Sequence, residues 1–222
     1  MSNFHAILEE TGNFFRRSGR FPVSLRRTGL LRLAEMLERE QDRILQAVGT
    51  DLGKFRADTL ADELYPLQDN IRDLIRRLPR LARPRRREGF FGGNERLMPE
   101  PYGLVLIRAY WSDPVRSALE PLAAALAAGN RVVLRPAPLA PVTGQLLIEL
   151  LDPLFGDGEV LTAGREIPDD ELEAEHFDLI VGTETSDDTG AKPVVRNAVG
   201  KNPAVVDISA NIRRAARYIV RA

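Results

Sequence analysis

The sequence predicts an α/β protein, a doubly wound, mostly parallel sheet preceded by an N-terminal helical arm. Three observations carry this. Apolar residues in the first third recur at helical steps. After Pro101, short runs of Val, Ile and Leu alternate with helical stretches, and Gly or Pro stops punctuate both regions. Strands that alternate with helices pair in parallel through right-handed crossovers, which places helices on both faces of one sheet.

Residues 1–85 read as the arm. Leu30, Leu33, Leu37, Ile44 and Val48 recur at helical steps, and Gly53 within DLGK (51–54) supplies a stop. Leu60, Leu64, Leu67, Ile71, Leu74, Leu78 and Leu81 then follow at alternating four- and three-residue steps. That spacing suits a coiled-coil seam, but it spans too few heptads, and packing against the rest of the domain is expected instead. Pro79 and Pro84 are expected to end this helix. Residues 86–101, RREGFFGGNERLMPEP, read as a turn-rich connector that fits a hairpin. Residues 102–222 read as a Rossmann-like sheet domain that forms one folding unit with the arm. Its strands are expected at 103–109, 131–135, 159–163, 177–182 and 204–208, and its helices at 116–128, 142–151, 169–175 and 212–220. Gly129-Asn130 closes the first of those helices. Ligands of such sheets bind outside the carboxyl ends of the strands. Neither a G-x-G-x-x-G turn nor a P-loop is present.

At 222 residues, 44% hydrophobic and a net charge of −1, the composition is that of a soluble globular protein. No apolar run is long enough to span a bilayer, and MSNFHAILEE lacks a basic region followed by an apolar one, so a cytoplasmic address is expected. The 222 residues contain no cysteine, which excludes disulfides, thiolate metal sites and a cysteine nucleophile among them. His5 and His176, far apart in sequence, read as surface residues, and no metal site is expected. Arginines number 28 against three lysines, a bias that says little about function. The dense basic block IRRLPRLARPRRR (75–87) lacks interleaved aromatics. It reads as a solvated helix end and linker, with nucleic-acid binding the minor alternative.

Six blocks together resemble the aldehyde dehydrogenase family, most closely its class 3 type. They are DLGK (51–54), EPYGLVLI (100–107), YWSDP (110–114), PLAAALAAGNRVVLRP (121–136), FDLIVGT (177–183) and VGKNPAVVD (199–207). The resemblance implies NAD or NADP held on the sheet domain, with aldehyde oxidation through a thiohemiacetal on a cysteine of a second domain. It implies that the chain is truncated to the cofactor-binding domain and lacks the cysteine domain. The oxyanion asparagine belongs in the family's W-N-Y-P block, which here reads Trp111-Ser112-Asp113-Pro114. Ser112 offers one hydrogen bond, while Asp113 sets a negative charge near a developing oxyanion. The general-base glutamate falls at Asn197, which has no proton-accepting carboxylate.

For the cofactor, the resemblance points to Trp111, Arg135, Pro136 and Thr183. Arg135 stands for the family's lysine, and the swap changes the shape of the cation. Pro138 stands where the family's ribose-binding glutamate is expected. The turn expected at the pyrophosphate reads Thr183-Glu184-Thr185, with Asp187 and Asp188 adding charge and too few residues before Pro193 for the usual helix. NAD or NADP binding is therefore expected to be weak or lost. The leading reading is a truncated, inactive domain of regulatory, scaffolding or vestigial role. It associates with itself or with a partner protein that covers the surface left by the missing domain. The alternative is an NAD(P)-dependent aldehyde oxidoreductase completed by a partner chain, or repurposed through Ser112, Asp113, Glu184 and Asp187.

Overall fold

The computed structural model describes residue 8 and residues 21–88, 94–155, 158–182, 193–196 and 203–221. The arm opens with α1 (Val23–Arg39) and α2 (Gln41–Leu52), which are separated by a break at Glu40. Leu30, Leu33 and Leu37 of α1, and Ile44 and Val48 of α2, are buried at the helical spacing. Gly53 ends α2 in the left-handed region at φ 63°, a conformation that a Cβ would strain. Next come α3 (Arg56–Thr59), a π-helical turn over Leu60–Leu64, and α4 (Tyr65–Leu81).

Two sequence expectations are corrected here. The leucine spacing from Leu60 predicts an ordinary helix, yet its first turn is π-helical, and this wider turn contributes both Glu63 and Leu64 to the interior. Pro79 does not end α4 but lies inside it, and the helix runs on to Leu81. So close to the helix end a proline removes one N–H donor without breaking many turns.

A hairpin follows, β1 (Arg85–Glu88) antiparallel to β2 (Asn94–Leu97). The sheet region comprises β3 (Leu104–Arg108), α5 (Arg116–Ala128), β4 (Arg131–Arg135), α6 (Pro141–Leu151), β5 (Val160–Thr162), α7 (Asp169–Ala174), β6 (Leu179–Gly182), β7 (Val194–Arg196) and α8 (Ile212–Arg221). The five strands are parallel in the order β5-β4-β3-β6-β7.

Alternate residues serve opposite faces, as a period of two requires. Val105, Ile107, Val132 and Leu134 join a large core with α1, α2, α4, α5 and α6. Leu104, Leu106 and Val133 join a smaller one with Leu8, Leu172 and Phe177. The arm thus shares the sheet's main core, and the fold is doubly wound. Leu67, Ile71 and Leu78 of the heptad-like series are buried in that core, as α4 packs against α1 and α5. No helix among the described residues is long and apolar enough to cross a membrane.

A third expectation fails. Residues 203–207 pair with no strand, and Val205 and Ile208 are 92% and 102% exposed. Apolar β-branched residues favour a strand only where a neighbouring edge accepts their backbone groups. Among the described residues no edge lies beside them.

The amino edge of the sheet is tied in one polar knot. Gly129 ends α5 at φ 90°, and Arg26 of α1 donates to the last carbonyls of that helix, Ala127 at 3.3 Å and Ala128 at 3.0 Å. Buried Asn130 accepts from the Gly103 amide at 3.1 Å and donates to the Ala125 carbonyl at 3.2 Å. Asp178 accepts from the Leu104 amide at 2.8 Å. The AAGN and FD pieces of the sequence are therefore joints between helix and strand.

Candidate functional site

Strand order reverses at β3, which has β4 on one side and β6 on the other, and the crevice at such a switch point is where doubly wound sheets hold ligands. The carboxyl ends of these strands are Arg108, Arg135 and Gly182, in register. Arg135 is buried, and its guanidinium is committed inward. Nη1 donates to the Ala163 carbonyl at 3.2 Å and to that of Gly164, and Nη2 lies 3.0 Å from Asp169 Oδ1. Arg108 Nη2 lies 3.5 Å from the same oxygen. Pro136 is buried behind Arg135, whereas Pro138 and Leu139 face solvent. Beside them, Arg135, Pro136, Pro138, Arg165 and Glu166 border a cavity of about 80 Å³. Small-molecule sites usually need about 300 Å³ or more.

On the other side of the crevice, the loop after β3 carries Trp111, Ser112 and Asp113. Ser117 pins the loop by accepting from the Tyr110 amide at 2.8 Å and donating to the Tyr110 carbonyl at 3.1 Å. Trp111 is 42% exposed, its ring tilted 48° to that of Tyr110. Exposed Ser112 donates to Asp113 Oδ1 at 3.1 Å. Burial pushes the Asp113 carboxyl above its ordinary pKa, against the opposing pull of the Ser112 hydroxyl and the Lys54 and Arg116 cations.

The residue that sequence reasoning missed is Glu63. Its fully buried carboxylate accepts from Lys54 Nζ at 3.1 Å and from the amides of Val115 at 3.0 Å and Arg116 at 3.3 Å. Burial raises its pKa, and Lys54 opposes the shift. The amides that open α5 are thus already capped from the arm. The lysine of DLGK was the available signal, because a half-buried cation is best held by a counter-charge. The cavity beside this loop, about 580 Å³, is bordered by Asn70, Tyr110, Asp113, Arg116, Val181 and Gly182. Arg116 and Asn70 both bond Glu120, at 2.8 and 2.7 Å, so part of its polar lining is satisfied internally.

The structure therefore brings Trp111, Ser112 and Asp113 together in one loop and sets Arg135 at the end of the neighbouring strand with Pro136 just after it, against the smaller cavity. Thr183, Glu184, Asp187 and Asn197 lie outside the described residues. His176 is on the surface, 3.7 Å from Asp178. Among the described residues no cluster of metal-ligating side chains occurs.

The profile of the aldehyde dehydrogenase family matches residues 2–222. The chain belongs to the aldehyde dehydrogenase family. It is 31% identical over 218 residues to rat (Rattus norvegicus) aldehyde dehydrogenase family 3 member A2, a match covering 91% of this chain and 45% of that protein. It is 30% identical over 213 residues to the 4,4'-diapolycopene-4,4'-dial dehydrogenase of Cytobacillus firmus, covering 89% and 47%. The chain spans about half the length of the curated relatives it matches. Among solved structures, the substrate-bound state of Staphylococcus aureus AldH superposes with a TM-score of 0.83 at 25% identity, over 96% of this chain and 49% of that one. The NADP-dependent glyceraldehyde-3-phosphate dehydrogenase of Bacillus halodurans, solved with NADP, gives 0.76 at 25% identity, over 97% and 48%. In this aldehyde dehydrogenase chain, several blocks that carry the family likeness do architectural work. Asp51 of DLGK accepts from the Val142 and Thr143 amides and caps α6, while AAGN closes α5 onto β3.

Proposed function

We propose that this aldehyde dehydrogenase-type domain has kept the family's fold and lost its NAD(P)-dependent aldehyde oxidation, leaving a regulatory, scaffolding or vestigial role. The observation that carries the reading is Arg135, whose guanidinium is taken up by two carbonyls and Asp169 of its own chain beside a cavity of about 80 Å³. A cation so engaged offers a ribose or phosphate little without breaking those bonds. The Ser112–Asp113 pair adds support. A carboxylate beside the position expected for the oxyanion asparagine opposes negative charge building up there. The reading includes a cytoplasmic address, one folding unit for arm and sheet, and a second copy or partner protein over exposed apolar residues such as Ile208 and Ile212. Steady-state assay of the purified protein with NAD and NADP and a panel of aldehydes is expected to give no aldehyde-dependent reduction. Turnover above a buffer blank would overturn the reading. It would favour instead an NAD(P)-dependent aldehyde oxidoreductase completed by a partner chain or by repurposed chemistry, the second reading that the cavity of about 580 Å³ beside Asp113 supports.

A further inference from the structure

The start of α5 lacks the residues that ordinarily hold a helix N-terminus. Val115 stands at the N-cap position, where a side chain with an acceptor is favoured, and the first turn holds no acid. Arg116, the first residue of the helix, sets a cation against the positive end of the helix dipole. Ser117 ties the helix to Tyr110 and, through its amide at 2.9 Å, to the Asp113 carbonyl. The Val115 and Arg116 amides are filled from the arm instead. Glu63 Oε2 accepts from both, at 3.0 and 3.3 Å, while Oε1 takes Lys54 Nζ at 3.1 Å. The Asp62 carbonyl accepts from Arg116 Nη1 at 3.2 Å, so the same π-helical turn also takes up the misplaced cation. π turns set into longer helices recur at functional sites. This one reaches the crevice, because Tyr110, Asp113, Arg116 and Ser117 border the cavity of about 580 Å³.

We propose that Glu63 is a positioning residue for the crevice. By capping α5 from the arm it sets the 110–114 loop and with it the shape of that cavity, so the arm governs a site on the sheet region. Lys54 acts through Glu63 by holding its carboxylate against the α5 amides. Loss of the Glu63 carboxylate uncaps α5 and frees the loop to open locally, while the sheet and the main core stay in place. The role is independent of whether the cavity turns over an aldehyde.

Trp111 is the chain's only tryptophan and lies in this loop, so its fluorescence reads the loop directly. The test is acrylamide quenching of Trp111 in the purified full chain, with far-UV circular dichroism checking the fold of each variant. Glu63→Ala is expected to raise the quenching constant about twofold, the ratio of a fully exposed ring to one 42% exposed. Glu63→Gln keeps one acceptor oxygen and is expected to give a smaller rise. Asp51→Ala removes the cap of a different helix, α6, and is expected to leave the constant unchanged, which separates positioning from a general loss of stability. Unchanged quenching in both Glu63 variants would overturn the proposal, as would an equal rise in Asp51→Ala. Should Glu63→Ala fail to fold, Glu63→Gln decides: a rise supports the role, and parental quenching overturns it.

Discussion

Asp113 shows how a single residue can work against stability. Its carboxyl is held above its ordinary pKa chiefly by burial, so over the pH range between its unfolded and folded values the native state binds more protons than the unfolded chain. Its contribution is therefore fully present below the unfolded value, about 3.9, and is lost as pH rises through the folded one. At pH 7 the charged, half-buried group is a net cost. Asp113→Asn is expected to raise the urea midpoint at pH 7, with the advantage shrinking on acidification and gone below about pH 3.9. A lower midpoint at pH 7, or a pH-independent difference, would contradict this. The sequence made Ser112, Asp113 and Arg135 conspicuous because they break a family pattern at recognisable positions. It could not show what Arg135 bonds to, because Ala163, Gly164 and Asp169 reach it only through the parallel pairing of β4 with β5 and the return of α7. Glu63 was hidden for a similar reason. On an isolated helix a glutamate reads as surface, and only the π turn and the docking of α5 bury it.

Among the elements, α6 shows that the arm and the sheet depend on each other. Its own N-cap residue, Ala140, has no side chain to offer, and Asp51 of the DLGK block caps it instead, at 3.1 and 2.7 Å. Asp51→Ala is expected to cost about 1 kcal/mol, the usual value of an N-cap, and Asp51→Asn much less. For a chain of this size that corresponds to a fall in Tm of roughly 2–4 °C on alanine substitution. An unchanged Tm in Asp51→Ala would sink the capping role. Most elements were legible because their signals are local. Gly53 and Gly129 do stop their helices, and β4 and α5 keep the bounds that the apolar pattern predicts. The failures lie where local signals meet tertiary context. Pro79 is tolerated in a last turn, a π turn leaves no mark on a leucine ladder, and residues 204–208 have strand chemistry without a strand to pair with.

Across the whole molecule, the two edges of the sheet tell different stories. At the amino edge, Asn130, Asp178 and Arg26 bind helices to strands through satisfied hydrogen bonds, and Asn130 and Asp178 lie in the blocks that relate the chain to its family. At the carboxyl edge, where a doubly wound sheet holds its ligand, Arg108 and Arg135 both face Asp169 of their own chain. The first edge holds helix to strand, and the proposed loss of cofactor binding is a claim about the second. A ligand that binds only the folded state must raise its melting temperature by mass action, by an amount set by concentration over Kd. The most direct measurement is therefore the Tm of the purified chain with and without millimolar NAD and NADP. The expected result is no shift with either dinucleotide. A concentration-dependent rise of several degrees would contradict the account and restore the carboxyl edge as a working cofactor site.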